Sequence, residues 1–231
     1  MKFTKLALSL SLLSTSVFAQ DYQTEINASY GQIDSIDILS LSGSYYFDAV
    51  NTKNTAWAEA AFMGQKSNLN LSYLDFDGDV DQLSFGGQYY NNNVYAALNV
   101  NYVDIDGFGS DTSFSGELGY FFAEDWLVAI SGNDEDFSDT LGIRTKYIAT
   151  LGNGQFFNFE AAYSDASEDF TISGDYYWTE QSSIGLTLSD EDGYDFGVQA
   201  SHFFTPSVAL NVSYDAFEND DLISVGITGR F

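Results

Sequence analysis

The last ten residues, Leu222 to Phe231, alternate without a break. Ile223, Val225, Ile227 and Phe231 share one parity, with Gly229 among them, and Ser224, Gly226, Thr228 and Arg230 take the other. A period of two over about ten residues describes a strand that is apolar on one face and polar on the other. The same pattern recurs along the chain. Tyr22, Thr24, Ile26, Ala28 and Tyr30 alternate with Gln23, Glu25, Asn27 and Ser29. Val94, Ala96, Leu98, Val100 and Tyr102 alternate with Asn99 and Asn101, and Phe170, Ile172, Gly174, Tyr176 and Trp178 with Thr171, Ser173 and Asp175. Val208, Leu210, Val212 and Tyr214 alternate with Ser207, Asn211 and Ser213. The chain is all-β. Two architectures accept such strands: a soluble sandwich or solenoid that hides its apolar faces in a shared core, and a membrane barrel that turns them to lipid.

The front of the chain has a separate purpose. Lys2 and Lys5 precede an apolar core from Leu6 to Leu13, and Val17-Phe18-Ala19 offers small residues for cleavage after Ala19. Residues 1–19 are expected to be a secretory signal peptide, since the core is too short and too rich in Ser to span a membrane as a helix. No later segment reaches 18 apolar residues. Removing the peptide takes away two of seven bases and none of the 34 acids, which leaves five bases and a net charge of about −29. No nucleic-acid surface is built from such a chain. The absence of Cys excludes disulfides and thiolate metal sites, and the 17% aromatic content excludes an acidic disordered chain.

Aromatic clusters mark the strand ends: Tyr45-Tyr46-Phe47, Tyr89-Tyr90, Tyr120-Phe121-Phe122, Tyr147, Tyr176-Tyr177-Trp178, Phe203-Phe204 and Phe231. Most steps between them are 25 to 32 residues, room for two strands, a loop and a turn. Seven hairpins result, hence about 14 strands over residues 20–231. Aromatics gathered at strand ends are what interfacial girdles require, which favours a transmembrane antiparallel up-and-down β-barrel over a sandwich. Connections beside the clusters are tight, such as Asn91-Asn92-Asn93 and Thr205-Pro206-Ser207, and those at the far strand ends are acidic, from Asp75–Asp81 to Glu218–Asp221. In a membrane barrel the tight turns face the periplasm and the acidic loops the medium. One step, of 43 residues, carries an additional piece, 55–66, in which Ala56, Ala58, Ala60 and Phe62 take the opposite parity to Leu69, Leu71 and Tyr73. A straight strand cannot hold both sets. The piece is either a bulged extension or, the preferred reading, a segment folded against the periplasmic mouth or into the lumen.

The signal peptide, the aromatic-ended hairpins, Trp57-Ala58-Glu59-Ala60-Ala61-Phe62 and the terminal Phe231 together resemble outer-membrane porins of marine and environmental Gram-negative bacteria. The resemblance implies an outer-membrane location, contact with its lipids, and a terminal strand ending in Phe231 that the barrel assembly machinery reads. The chain departs from large trimeric porins in its fewer strands and its lack of a long constriction loop.

Extending the alternation inward puts Glu25, Glu117, Arg144, Lys146, Glu160, Asp175 and Arg230 in the lumen, where charge sets selectivity in a pore. The loop Asp75-Phe76-Asp77-Gly78-Asp79-Val80-Asp81 has the alternating carboxylates of a calcium loop, with Asp75, Asp77, Asp79 and Asp81 as weak candidate ligands, but it lacks the distal Glu of an EF-hand. No cofactor is expected beyond weak Ca²⁺ or Mg²⁺ association with the acidic rim. The lone His202 shares parity with Val198, Ala200 and Phe204, on the outer face, and leaves no triad to assemble. Catalysis is not expected. The expected function is passive diffusion of small hydrophilic solutes with a cation preference, and the alternative is a non-conducting barrel that acts through its loops or as a structural element.

Overall fold

The computed structural model describes residues 21–134 and 140–231. The expected signal peptide lies outside the described residues, as does most of the acidic connection from Asp134 to Asp139. Fourteen strands form one closed antiparallel sheet. They are β1 (Asp21–Ile33), β2 (Ile36–Asn51), β3 (Asn68–Phe76), β4 (Val80–Asn91), β5 (Val94–Ile105), β6 (Gly109–Ala123) and β7 (Trp126–Asn133). The second half supplies β8 (Gly142–Gly152), β9 (Gln155–Ser164), β10 (Phe170–Thr179), β11 (Ser182–Ser189), β12 (Tyr194–Thr205), β13 (Val208–Phe217) and β14 (Asp221–Arg230). Each strand pairs with its neighbours in sequence, and β14 pairs with β1 to remove both edges. A closed barrel satisfies every ladder hydrogen bond without water, the condition for crossing lipid with strands. No helix among the described residues is long and apolar enough to span a membrane.

The outer wall carries the apolar parity. Leu98, Leu118, Ile130, Ile184 and Ile223 are large, exposed and ringed by others of their kind. The inner wall carries Ser, Asn, Gln, Gly and the ionisable residues. Alternation alone does not describe the strand ends, however. Where three aromatics follow one another on a strand, the pleat must send the middle one inward. Tyr120 and Phe122 face out, Phe122 at 63% exposed, but Phe121 between them is 1% exposed inside the barrel. Tyr46, Tyr177 and Phe203 are buried in the same way. The aromatic clusters are therefore only partly girdles. Tyr22 also departs from the sequence reading, which put it with Thr24 and Ile26: the register with β2 shifts between Tyr22, opposite Val50, and Thr24, opposite Tyr45, and Tyr22 turns inside.

These inward rings have a purpose because residues 52–67 fold through the lumen at the Phe231 end. A 3₁₀ turn, Trp57–Glu59, runs into a one-turn helix α1 (Ala60–Met63). Ala60 packs with Tyr22, Tyr46 and Val50 of β1 and β2. Phe62 lies against Phe121 of β6, ring centroids 5.6 Å apart, and Trp57 stands edge-on to Phe203 of β12 at 5.9 Å. Ala56 joins Ile148, Phe156 and Tyr177 of β8 to β10. The segment thus touches the wall all round and forms a plug. Its length is too small for the helix to stand alone, so tertiary packing holds it.

Trp57→Ala removes the largest of these contacts, a change that costs about 3–5 kcal/mol in a packed core. Trypsin added on the Phe231 side should then cut after Lys53 and Lys66 faster than in the unaltered protein, with the barrel's heat-modifiable migration unchanged. An unchanged cutting rate in an intact barrel would show that Trp57 does not hold the plug.

Candidate functional site in the lumen

The lumen charges are sorted into pairs by the register of the strands that carry them. Glu25 and Arg230 are direct cross-strand partners where β1 meets β14, and Arg230 Nε lies 2.7 Å from Glu25 Oε2. The same guanidinium is 2% exposed, stacks between Tyr22 and Phe203 at 4.4 and 4.3 Å, and donates from Nη1 to the Trp57 carbonyl at 2.9 Å. Arg230 is sealed under the plug, out of a solute's reach. Arg144 on β8 grips Glu117 on β6 with two N–H groups, reaching over the small Ala129 of β7, and its Nη2 also donates to the Tyr95 hydroxyl at 3.3 Å.

The third base joins a larger network. Lys146 Nζ lies 2.8 Å from Glu160 Oε1, its cross-strand partner, and 2.9 Å from Glu59 Oε2 on the plug. Asn158 Nδ2 bridges Glu160 Oε1 and Asp175 Oδ2 at 2.9 and 3.2 Å. Gln199 Nε2 donates to Asp175 Oδ1 at 2.6 Å, and the Tyr177 hydroxyl donates to Glu59 Oε1 at 3.2 Å. All seven lumen residues read from the sequence thus point inward, six of them in three ion pairs with one another, and Lys146 in a further pair with Glu59. Glu59, Asn158 and Gln199 were not read. Asn158 and Gln199 obey the alternation but carry no charge to mark them, and Glu59 stood in a segment with no settled parity.

Above the plug the wall from β11 through β14 to β1 presents small polar side chains, Ser183, Ser201, Ser213, Ser224 and Gly226 among them. There a cavity of about 440 Å³ opens, with Ala58 and Glu59 as its floor and Asp175 at its side.

Residues 1–143 and 131–226 match the family described as "Putative general bacterial porin". The chain belongs to this porin family. Among solved structures, this porin is similar to the Acinetobacter baumannii outer membrane protein Omp33, with TM-score 0.82 and 24% identity over 92% of this chain and 99% of that one. The KdgM porin, solved in complex with disordered oligogalacturonate, aligns with TM-score 0.50 and 11% identity over 90% and 99% of the two chains. At these identities the likeness shows the fold. Among curated proteins, none matches the chain.

As a porin, the barrel sits in the outer membrane of a Gram-negative bacterium, with the Phe231 end and tight turns in the periplasm and the acidic connections outside. Twelve of the fourteen strands, of 9 to 16 residues, cover the hydrocarbon thickness, which needs about 9–11 tilted residues, and β7 and β11 have 8. At the outer end the candidate calcium loop is a tight turn. Asp75 Oδ1 accepts the Gly78 N–H at 2.9 Å, and Asp81 accepts the Tyr73 hydroxyl. Asp75, Asp77, Asp79 and Asp81 do not converge, and no metal-holding group of three His, Asp or Glu occurs among the described residues. His202 lies on the outer face against Phe204, its Nδ1 2.8 Å from Ser182 Oγ.

One ionisable group borders the plug from the periplasmic side. Asp125, in the turn between β6 and β7, is 8% exposed with Oδ1 lacking a partner, and it lines a cavity with Asn54 and Met63. Burial, helped by the neighbouring Glu124, pushes its carboxyl up to about 6. A carboxyl raised on folding stabilises the protonated native state, and that contribution is lost as pH rises through about 6. Asp125→Asn keeps the left-handed backbone (φ 59°), which Asn tolerates. The variant should resist heat better than the unaltered porin above pH 6 and match it near pH 4, by the midpoint of the electrophoretic heat shift. A gap that is constant from pH 4 to pH 8 would contradict the assignment.

Proposed function

We propose that this porin is a passive diffusion channel for small hydrophilic solutes, that it prefers cations, and that residues 52–67 throttle its periplasmic end. The observation that carries the reading is the lumen itself, a polar shaft whose bases are all paired and whose floor and side wall expose carboxylates. Glu25, Glu59, Glu117, Glu160 and Asp175 face Arg144, Lys146 and Arg230, an excess of two negative charges in the periplasmic half. The outer rim adds many more. A solute entering from outside therefore meets a net negative charge at the rim and again in the lumen, and low-dielectric walls focus that field. The family match and the barrel support a channel, and they point away from an enzyme.

Passage beyond Ala58 and Glu59 requires the plug to shift. Between Trp57 and Met63, among the described residues, its polar anchors to the wall number few: the Trp57 N–H on the Glu180 carbonyl, the Trp57 carbonyl on Arg230, and Glu59 on Lys146 and Tyr177. The wall-to-wall packing of the plug is also what favours the second reading, a barrel that does not conduct. In either case Phe231, whose backbone pairs with Thr24 of β1 at the seam, is the proposed signal for the assembly machinery. Weak Ca²⁺ or Mg²⁺ association with the rim follows from its charge density alone.

Rim and lumen separate by salt, because exposed charges are screened over about 8 Å at physiological ionic strength and enclosed ones far less. In a planar bilayer with a salt gradient, the reversal potential should favour cations at about 0.1 M salt. Part of that preference should survive near 1 M, where the Debye length is about 3 Å. Replacing Arg144 and Lys146 together with Gln should deepen it at every salt concentration. A reversal potential favouring anions at about 0.1 M would overturn the proposal, and the absence of conductance would select the second reading.

A further inference from the structure

The ion pairs of the lumen do not close evenly. Arg144 takes Glu117, and Arg230 takes Glu25. The remaining network, Glu59, Glu160 and Asp175, shares the single ammonium of Lys146. Lys53 and Lys66, the other bases among the described residues, lie at the two ends of the plug segment. Three carboxylates, of which Glu59 and Asp175 are enclosed, thus face one cation, and an uncompensated charge away from water is costly unless something pairs with it.

Asp175 is the carboxylate furthest from compensation. It is 7% exposed, and among the described residues its hydrogen-bond partners are the amides of Asn158 and Gln199. It is held there by a vacancy in β11. Asp175, Gly185 and Gln199 stand in register across three strands, and a Cβ on Gly185 would lie 2.2 Å from Asp175 Oδ1 and 2.9 Å from Gln199 Cγ. Only Gly lets the two side chains meet over the middle strand. Each Asp175 oxygen accepts one amide hydrogen and keeps lone-pair capacity for another donor. Among the described residues two nearby buried atoms also lack a partner. One is Oδ1 of Asn158, which is 1% exposed. The other is Ser201 Oγ, on the cavity wall.

We propose that the cavity between Glu59 and Asp175 is a binding site for a small hydrophilic primary ammonium compound, an amine or amino alcohol. An ammonium supplies the missing charge and up to three N–H donors to a site whose two charged groups, Glu59 and Asp175, only accept. Its hydroxyl or second polar group meets the serine wall, and the volume of about 440 Å³ admits a solute of this size. A bare divalent metal fits less well, because no three carboxylate or imidazole ligands gather there among the described residues. The site would lie on the outer face of the plug, where an incoming solute pauses before the periplasmic constriction.

The proposal rests on the channel reading for access to the lumen, and the experiment keeps the two apart. The mature protein in detergent micelles is titrated with 1,3-diamino-2-propanol, with glycerol as the uncharged analogue and choline as a cation without N–H groups, by saturation-transfer NMR or calorimetry. The diamine should bind saturably, glycerol should not, and choline should bind at least tenfold more weakly than the diamine. Asp175→Asn and Glu59→Gln should each weaken the diamine at least tenfold, whereas Asp192→Asn on an outer connection should not change it. Heat-modifiable migration confirms that each variant is folded, and Glu59→Gln decides the matter if Asp175→Asn is not. Equal binding of all three probes, no saturable binding, or an unchanged affinity in the folded variants would overturn the site. Steady conductance in KCl without diamine binding would remove the site and leave the channel. Diamine binding without conductance would leave the site and remove the channel.

Discussion

A guanidinium stacked between two aromatic rings ties this barrel together at three points. Arg230 is the last residue of the closing strand, pairs with Glu25 of the first strand, and holds the plug by the Trp57 carbonyl. Such a group is costly to bury and is tolerated only because each side of it is met: a carboxylate, a carbonyl, and the faces of Tyr22 and Phe203. Cation–π contacts are worth about 2 kcal/mol when water is excluded. Taking away one partner of a buried pair costs about 3–5 kcal/mol. Closure of the sheet and seating of the plug are therefore coupled through one side chain, and neither is independent of the other.

That coupling explains how a barrel of this size organises its interior. Fourteen strands enclose more space than side chains alone fill, yet less than a porin of 16 to 18 strands needs for a wide aqueous channel. Here the periplasmic end is filled by inward aromatics meeting a short internal segment, and the outer half is left to small polar residues. The lumen is lopsided as a result. Bulky and paired groups, Tyr95, Arg144, Glu117 and Lys146, occupy the side of β5 to β8. Serines, glycines and amides line β11 to β14 and β1, and the open volume lies against them.

The all-β fold, the strand number and the inward parity of the lumen charges were legible because a two-residue period fixes a face wherever the strand is regular. The pairing of Glu25 with Arg230 is set by the meeting of the first and last strands. What was not legible lies where the period breaks or where chemistry has no charge to announce it. The register shift after Tyr22 flips that residue inward, and no residue type there signals it. The middle residues of the aromatic triplets read as girdle because composition, not position within the triplet, was weighed. Glu59 became a lumen ligand only through the fold of the plug. The role of Gly185 depends on register across three strands, which one sequence does not display.

The account stands or falls on whether residues 52–67 limit the pore. A variant in which 52–67 is replaced by a two-residue turn, joining β2 to β3 as the other periplasmic connections are joined, can be compared with the unaltered porin in the same planar bilayer. With heat-modifiable migration showing an intact barrel, single-channel conductance should rise severalfold and become steady. Equal conductance in the two intact barrels would show that the segment is not the constriction and would contradict the account.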